Sequence, residues 1–454
     1  MGGLQSMKPK EESRVLDMTK GKPFRLLLTF AMPLFLGNLL QQFYNLADTS
    51  IAGHVLGDKA LAQIGATSAL YSLITNFAFG INNGMALTVS RYFGAGSQKK
   101  MKEAVCWMVS LSLSFSFVLT LASLVFRHEI IGFLRIPGET AEGALSYLTV
   151  ILAGIPLTMA YNMESSLLQA VGNSITPLLL LMFSSILNVA LDFLFMGTLR
   201  LGVRGAAAAT VLAQGISAFL GLIYICRNYT MLRFGRKQWS VSPRFVAGMI
   251  GTGLSMAFMS AIYNLGSVAL QSSINALGNV YIAAQVGGRR LAELFYIPGL
   301  ALGTSVATYS SQNYGAGKRE RISKGIWSAV ILYGLWWPVA LSVTFFAAPA
   351  AVRMITGTVS QEVVDNAVMY LRISIPMIPP MAVLVILRNA FQGMGHPVLP
   401  LFCSGLELVG KIIFAFFAVP VWGYTAVCIC EPVTWVICVA FILGAAYWYR
   451  DEFK

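Results

Sequence analysis

Apolar stretches long enough to cross a bilayer recur along nearly the whole chain, and they restrict its fold more than any other feature. They lie near 25–51, 60–88, 104–126, 143–166, 175–197 and 204–226, then near 245–273, 279–309, 324–347, 366–390, 398–418 and 424–449. A helix of about 20 residues satisfies every backbone N–H and C=O where water is absent, which an irregular segment cannot do. Charged residues make up only 11% of the chain, against roughly 25% in a soluble domain. The expectation is an all-α integral membrane protein with about twelve transmembrane helices. The first 24 residues are polar, and the apolar stretch after them reads as the first span rather than as a cleavable signal peptide.

The stretches fall into two sets that repeat each other. Ser90-Arg91-Tyr92-Phe93-Gly94-Ala95-Gly96 returns as Ser311-Gln312-Asn313-Tyr314-Gly315-Ala316-Gly317, and Gln169, Gly172 and Pro177 return as Gln392, Gly395 and Pro400. Tyr44-Asn45-Leu46 matches Tyr263-Asn264-Leu265, and Tyr147-Leu148 and Ile155-Pro156 match Tyr370-Leu371 and Ile378-Pro379. Ordered landmarks at spacings of 219 to 223 mark a duplication.

Basic residues fix the direction of each half. Lys8, Lys10, Arg14, Lys20, Lys22 and Arg25 precede the first span, Arg91, Lys99, Lys100 and Lys102 follow the second, and Arg227, Arg233, Arg236, Lys237 and Arg244 separate the sixth from the seventh. Lys318, Arg319, Arg321 and Lys324 follow the eighth. The alternate loops hold few bases, Lys59, Arg127, Arg135, Arg200, Arg204 and Arg353, with five acids among them. By the positive-inside rule both termini are cytoplasmic in a multi-pass protein of the cell membrane. Each half then has an even number of spans, giving two parallel-repeat six-helix lobes around a central cavity. The expected parts are a cytoplasmic N-terminal segment 1–24, an N-lobe 25–227, a basic linker 228–243, a C-lobe 244–449 and a cytoplasmic tail 450–454. The net charge of +13 is divided among loops instead of forming a basic face, so no nucleic-acid partner is expected; the partner is the lipid bilayer.

Several segments together resemble the multidrug and toxic compound extrusion (MATE) transporter family over essentially the whole chain. They are Gln42 to Gly53, Arg91 to Gly96, Gln169 to Pro177, Asn188 to Asp192 and Gly205 to Thr210. Related lipid-linked sugar flippases and polysaccharide exporters share that architecture. The resemblance implies a secondary active transporter that works as a monomer and exports small organic cations or drugs against inward H⁺ or Na⁺. The alternative is a flippase or exporter of a lipid-linked saccharide, whose anionic cargo would call for a cationic cavity.

Ionisable groups in the spans narrow the search, because each costs about 2.5–3.5 kcal/mol at mid-bilayer unless paired, hydrated or functional. Asp48 lies about 35 Å along the first span and Asp192 about 25 Å along the fifth, both toward the outer end. Asn188 is one turn from Asp192 on the same face, and Thr210 sits at compatible depth in the sixth span. In the repeat register Asp48, Asn188 and Asp192 correspond to Ser267, Lys411 and Ala415, so the acid pair belongs to the first half alone. Carboxylate, amide and hydroxyl oxygens suit Na⁺, and a buried carboxylate that can carry a proton suits H⁺. In the family that the chain resembles, matching positions carry the coupling ion; the alternative is that Asp48 caps the helix end near Gly53 and Asp192 accepts a helix–helix hydrogen bond. No other metal and no cofactor is expected.

The remaining groups have simpler readings. Glu407 and Lys411, four apart, form a structural ion pair. Tyr44, Asn82, Asn83, Tyr263, Arg289 and Glu293 are candidates for the substrate cavity, with Gly80 to Gly84 a polar weak point facing it. Glu164 and Arg388 are expected to snorkel to the inner interface and Arg372 to the outer one; Glu431 has no role assigned. Pro33, Pro156, Pro298, Pro376, Pro379 and Pro380 each remove a helix hydrogen bond or restrict a neighbour, and some of them should bend their helices. His54, His128 and His396 form no HExxH arrangement, and Gly94-Ala95-Gly96 is not a P-loop. Neither an enzyme nor an ATP-driven pump is expected.

Overall fold

A computed structural model describes residues 15–133 and 136–453. Lys8, Lys10, Arg14 and Arg135 of the charge argument, and the last residue of the C-terminal tail, lie outside them. Among the described residues eleven helices are long and apolar enough to cross a membrane, and a bent pair brings the number to twelve when taken as one span. In chain order they are α1 (Pro23–Leu56), α2 (Asp58–Gly94), α3 (Gln98–Val125), α4 (Gly138–Ala153 with Ile155–Ala170), α5 (Ile175–Thr198), α6 (Val203–Asn228), α7 (Pro243–Leu277), α8 (Asn279–Gly315), α9 (Arg319–Thr356), α10 (Gln361–Met394), α11 (Val398–Trp422) and α12 (Tyr424–Trp448). No β-strand occurs among the described residues.

The repeated glycines explain why the repeat looks as it does. Gly96 ends α2 in a left-handed conformation (φ 66°), where a Cβ would be strained, and Ser97 N–H returns to the Tyr92 carbonyl at 3.1 Å. Gly317 ends α8 in the same way (φ 69°), with Lys318 N–H on the Asn313 carbonyl at 2.9 Å. The two Gly-Ala-Gly peptides are therefore helix stops of one geometry.

The prolines act unequally. Near Pro156 the two parts of α4 bend by 47°, and at Pro376 the α10 path tightens into a 3₁₀ turn over Ile375–Met377. Pro33 and Pro298 stay inside continuous helices. Three π-helical turns, Phe193–Thr198, Val343–Ala347 and Phe414–Ala418, interrupt α5, α9 and α11 without any proline or glycine rule to announce them.

The chain packs as two compact units. Unit 1 takes Leu36–Ala257 with the described residues before Met18, and unit 2 takes Met18–Phe35 with Phe258–Lys454. This division departs from one at the linker: residues 18–35, including the start of α1, go with unit 2, and residues 243–257 of α7 go with unit 1. Local contacts account for both assignments. Met18 N–H donates to Gln312 Oε1 at 2.9 Å, Asn313 Nδ2 donates to the Met18 carbonyl at 3.1 Å, and Ser305 Oγ donates to the Leu27 carbonyl at 3.3 Å. In unit 1, α2 meets the first part of α7 backbone to backbone. A Cβ at Gly84 would lie 2.5 Å from the Thr252 carbonyl oxygen, and one at Gly80 would lie 2.7 Å from Ala257 Cα. Small residues at i and i+4 permit that approach.

Candidate functional sites

In unit 1 the four residues singled out at compatible depth come together. Asp192 and Asn188 are fully buried, and Thr210 is buried beside them. With its amide nitrogen turned toward the acid, Asn188 donates to Asp192 Oδ2 at 2.9 Å and accepts from the Thr210 N–H at 3.1 Å. Asp48, from α1, is within side-chain hydrogen-bonding reach of Asp192, so a proton placed on either carboxyl would be shared. Oδ1 of each acid has no hydrogen-bond donor among the described residues. Tyr44, one turn before Asp48, reaches Thr210, and Tyr71 reaches Gln214 close to Asp48. Two carboxyls in contact and short of donors can be ionised together only with a positive charge beside them.

Unit 2 holds a different arrangement. Glu293 and Arg289 pair at 3.4 Å, Arg289 and Glu431 at 3.8 Å, Glu431 and Lys411 at 3.7 Å, Lys411 and Glu407 at 3.5 Å, and Glu407 and Arg388 at 3.1 Å. Acids and bases alternate through α8, α12, α11 and α10, and the charges cancel. Tyr370 donates to Glu431 Oε2 at 3.2 Å, Arg289 donates to the Tyr263 hydroxyl at 3.0 Å, and the Lys411 ammonium lies 4.1 Å from the centroid of the Tyr263 ring. Lys411, Glu407 and Glu431 are buried, whereas the ladder opens outward at Arg289 and Glu293.

Three expectations change on these coordinates. Asn82 does not line a cavity: it is fully buried, accepts from Ser112 Oγ at 2.9 Å, and donates to the carbonyls of Ala78 at 3.0 Å and Met159 at 3.4 Å. Asn83 and the glycines beside it are buried too, because Gly80 to Gly84 is a helix-packing seam. Arg388 does not snorkel; it pairs with Glu407 and bonds Ser404. Glu164 is buried in unit 1, with Oε2 against Gly221 and without a donor among the described residues. Glu407 and Lys411 do pair, within the longer ladder, and Glu431, unassigned from sequence, is the ladder's centre. Tyr44 sits at the acid pair, while Tyr263, Arg289 and Glu293 form the exposed end of the ladder.

The ladder makes a direct prediction. Arg388→Met takes the 3.1 Å partner from Glu407 and leaves three acids with two bases. Removing one partner of a buried pair costs about 3 kcal/mol, so the thermal unfolding midpoint should fall. Arg388→Met/Glu407→Gln should recover most of that loss; an unchanged midpoint in the single variant would mean that the ladder bears no load.

Comparison with known proteins follows the geometry. The family model described as MatE matches residues 33–194 and 255–417. The chain is 30% identical over 313 residues to the probable multidrug resistance protein YpnP of Bacillus subtilis (strain 168), covering 68% of this chain and 69% of that protein. It is 21% identical over 364 residues to the multidrug export protein MepA of Staphylococcus aureus (strain NCTC 8325 / PS 47), covering 80% of each. Among solved structures, the outward-facing conformation of a multidrug resistance MATE family transporter of the MOP superfamily superposes with a TM-score of 0.89. It is 22% identical, and the match covers 99% of this chain and all of the other.

Proposed function

Since the chain belongs to the MatE family of multi-pass membrane transporters, we propose that it is a multidrug efflux antiporter, and that Asp48, Asn188, Asp192 and Thr210 bind its coupling ion. The observation that carries this reading is the Asp48–Asp192 contact. A half-buried carboxyl against a fully buried one needs a proton or a monovalent cation to neutralise one of them. Export of a small organic cation in exchange for that ion would return the pair to its charged, unfavourable state, which favours reloading from outside. Alternating access would convey the ion and the drug at different steps. The protein acts as a monomer in the cell membrane with both termini cytoplasmic.

The lipid-linked saccharide reading has less support. It needs free positive charge for an anionic cargo, yet Arg289 and Lys411 already face Glu431, Glu293 and Glu407. Purified protein in liposomes, given an imposed pH gradient or an imposed Na⁺ gradient separately, tests the proposal. Ethidium or a fluoroquinolone should move against one of the two gradients; movement driven by neither would discard the antiport reading.

A further inference from the structure

The repeat register can be carried from the helix ends to the charged groups. Gly202 and Gly423, 221 apart, cap the starts of α6 and α12 with the same backbone geometry, φ 61° and ψ −146° against φ 58° and ψ −140°. Counting on from them, Thr210 corresponds to Glu431. Tyr44 corresponds to Tyr263, Asp48 to Ser267, Asn188 to Lys411 and Asp192 to Ala415. Of these partners, Lys411 and Glu431 form the middle of the ladder, and the Tyr263 ring packs against the Lys411 ammonium. The ladder's core therefore occupies, within unit 2, the place that the acid pair occupies within unit 1.

The substitutions balance one another. Unit 1 has two acids, an amide and a hydroxyl, and it lacks a positive charge. Unit 2 loses both acids, to serine and alanine, gains one at Glu431, and gains an ammonium where the amide was. The lysine stem fills the same region: a Cβ at Gly266, beside Ser267, would lie 2.9 Å from Lys411 Cδ. Ser267 has turned its hydroxyl back to the Tyr263 carbonyl at 3.1 Å. Among the described residues the ammonium makes no hydrogen bond within normal length, and it lies among Glu407, Glu431 and the Tyr263 ring. That is how a small cation sits in a pocket of carboxylates and a π face, not how a lysine sits in a tight salt bridge.

We propose that Lys411 is a tethered cation, its ammonium holding in unit 2 the position that the free coupling ion takes in unit 1. The inference rests on the reading of the unit 1 site as the coupling site. It assigns unit 2 a latent binding site for a monovalent cation, Na⁺ or a small primary ammonium, bounded by Glu407, Glu431 and Tyr263 and filled by the protein's own side chain. Ion coupling is then confined to one unit, while the other stays neutral whatever the ions on either side.

Cutting the tether tests it. The full chain carrying Asp48→Asn/Asp192→Asn, with and without Lys411→Met, is purified in detergent and unfolded thermally in sodium, methylammonium or choline chloride at equal ionic strength. With Lys411 present the midpoint should be the same in all three salts. With Lys411→Met it should rise with the logarithm of sodium or methylammonium concentration and stay flat in choline. A flat response in all three salts overturns the proposal. If the Lys411→Met protein does not fold, Lys411→Met/Glu431→Gln decides: loss of the lysine with its counter-charge should restore folding without any cation dependence. Failure of that variant also overturns the proposal, because a counter-ion is dispensable once its charge partner is gone. Comparison of the unsubstituted protein with Asp48→Asn/Asp192→Asn, in the same salts and across a pH titration, tests unit 1 separately; midpoints that are cation-independent and share one pH dependence in both would remove the coupling reading while leaving the Lys411 comparison intact.

Discussion

Asp192→Asn is expected to reduce gradient-driven export to the level of empty liposomes while leaving the protein folded. The amide keeps the shape of the side chain, and its oxygen can still accept from Asn188, whose nitrogen meets Asp192 Oδ2 at 2.9 Å. What it loses is the charge and the exchangeable proton. The sign of the stability effect follows from the contact with Asp48. Without a bound ion, two adjacent carboxylates, one of them fully buried, repel, so the variant should be at least as stable as the parent in ion-free buffer. With the ion at about 100 times its dissociation constant, the parent should gain about 2.7 kcal/mol and the variant nothing. Transport in liposomes and thermal unfolding across a titration of the coupling ion measure the two halves of this prediction. Undiminished coupled export by Asp192→Asn would refute the assignment.

Gly84→Leu should be the most damaging substitution outside the charged groups. Its Cβ alone would stand 2.5 Å from the Thr252 carbonyl oxygen and 2.7 Å from Gly253 Cα, and both obstacles are backbone that cannot rotate away. Overpacking of this kind costs about 3 kcal/mol, and here it requires α2 and the first part of α7 to separate. Gly65→Leu supplies the control, since an added Cβ in that part of α2 meets nothing within 4 Å. It should be neutral or raise stability by up to about 1 kcal/mol, as expected when glycine is removed from a helix. Equal unfolding midpoints for the two variants would rule out the close approach.

How far the sequence foretold this arrangement depends on what each residue has to do. Span count and the repeat follow from composition and helix stops, because apolar length and left-handed glycines are local properties. The depths of Asp48, Asn188, Asp192 and Thr210 follow from counting residues along helices of fixed rise. Their meeting depends on helix rotation, which no single helix records, and so do the contributions of Tyr71 and Gln214. Asn82 misled for the same reason: a polar group in an apolar helix looks the same whether it faces water or bonds Ser112 on a neighbouring helix. Glu431 was within reach, since Gly202 and Gly423 set a register that places it opposite Thr210. Arg388 and Glu164 lie near helix ends where long side chains can extend to the interface, and only the presence of Glu407 or Gly221 nearby decides against it.

Residues 18–35 belong to unit 2 and residues 243–257 to unit 1, and the trade is reciprocal: each unit holds the leading segment of the other's first long helix. The linker at 228–243 is therefore a poor place to divide the chain. A cut there gives two fragments that each carry a piece the other needs, so the halves, though duplicated, are no longer separable as folding units.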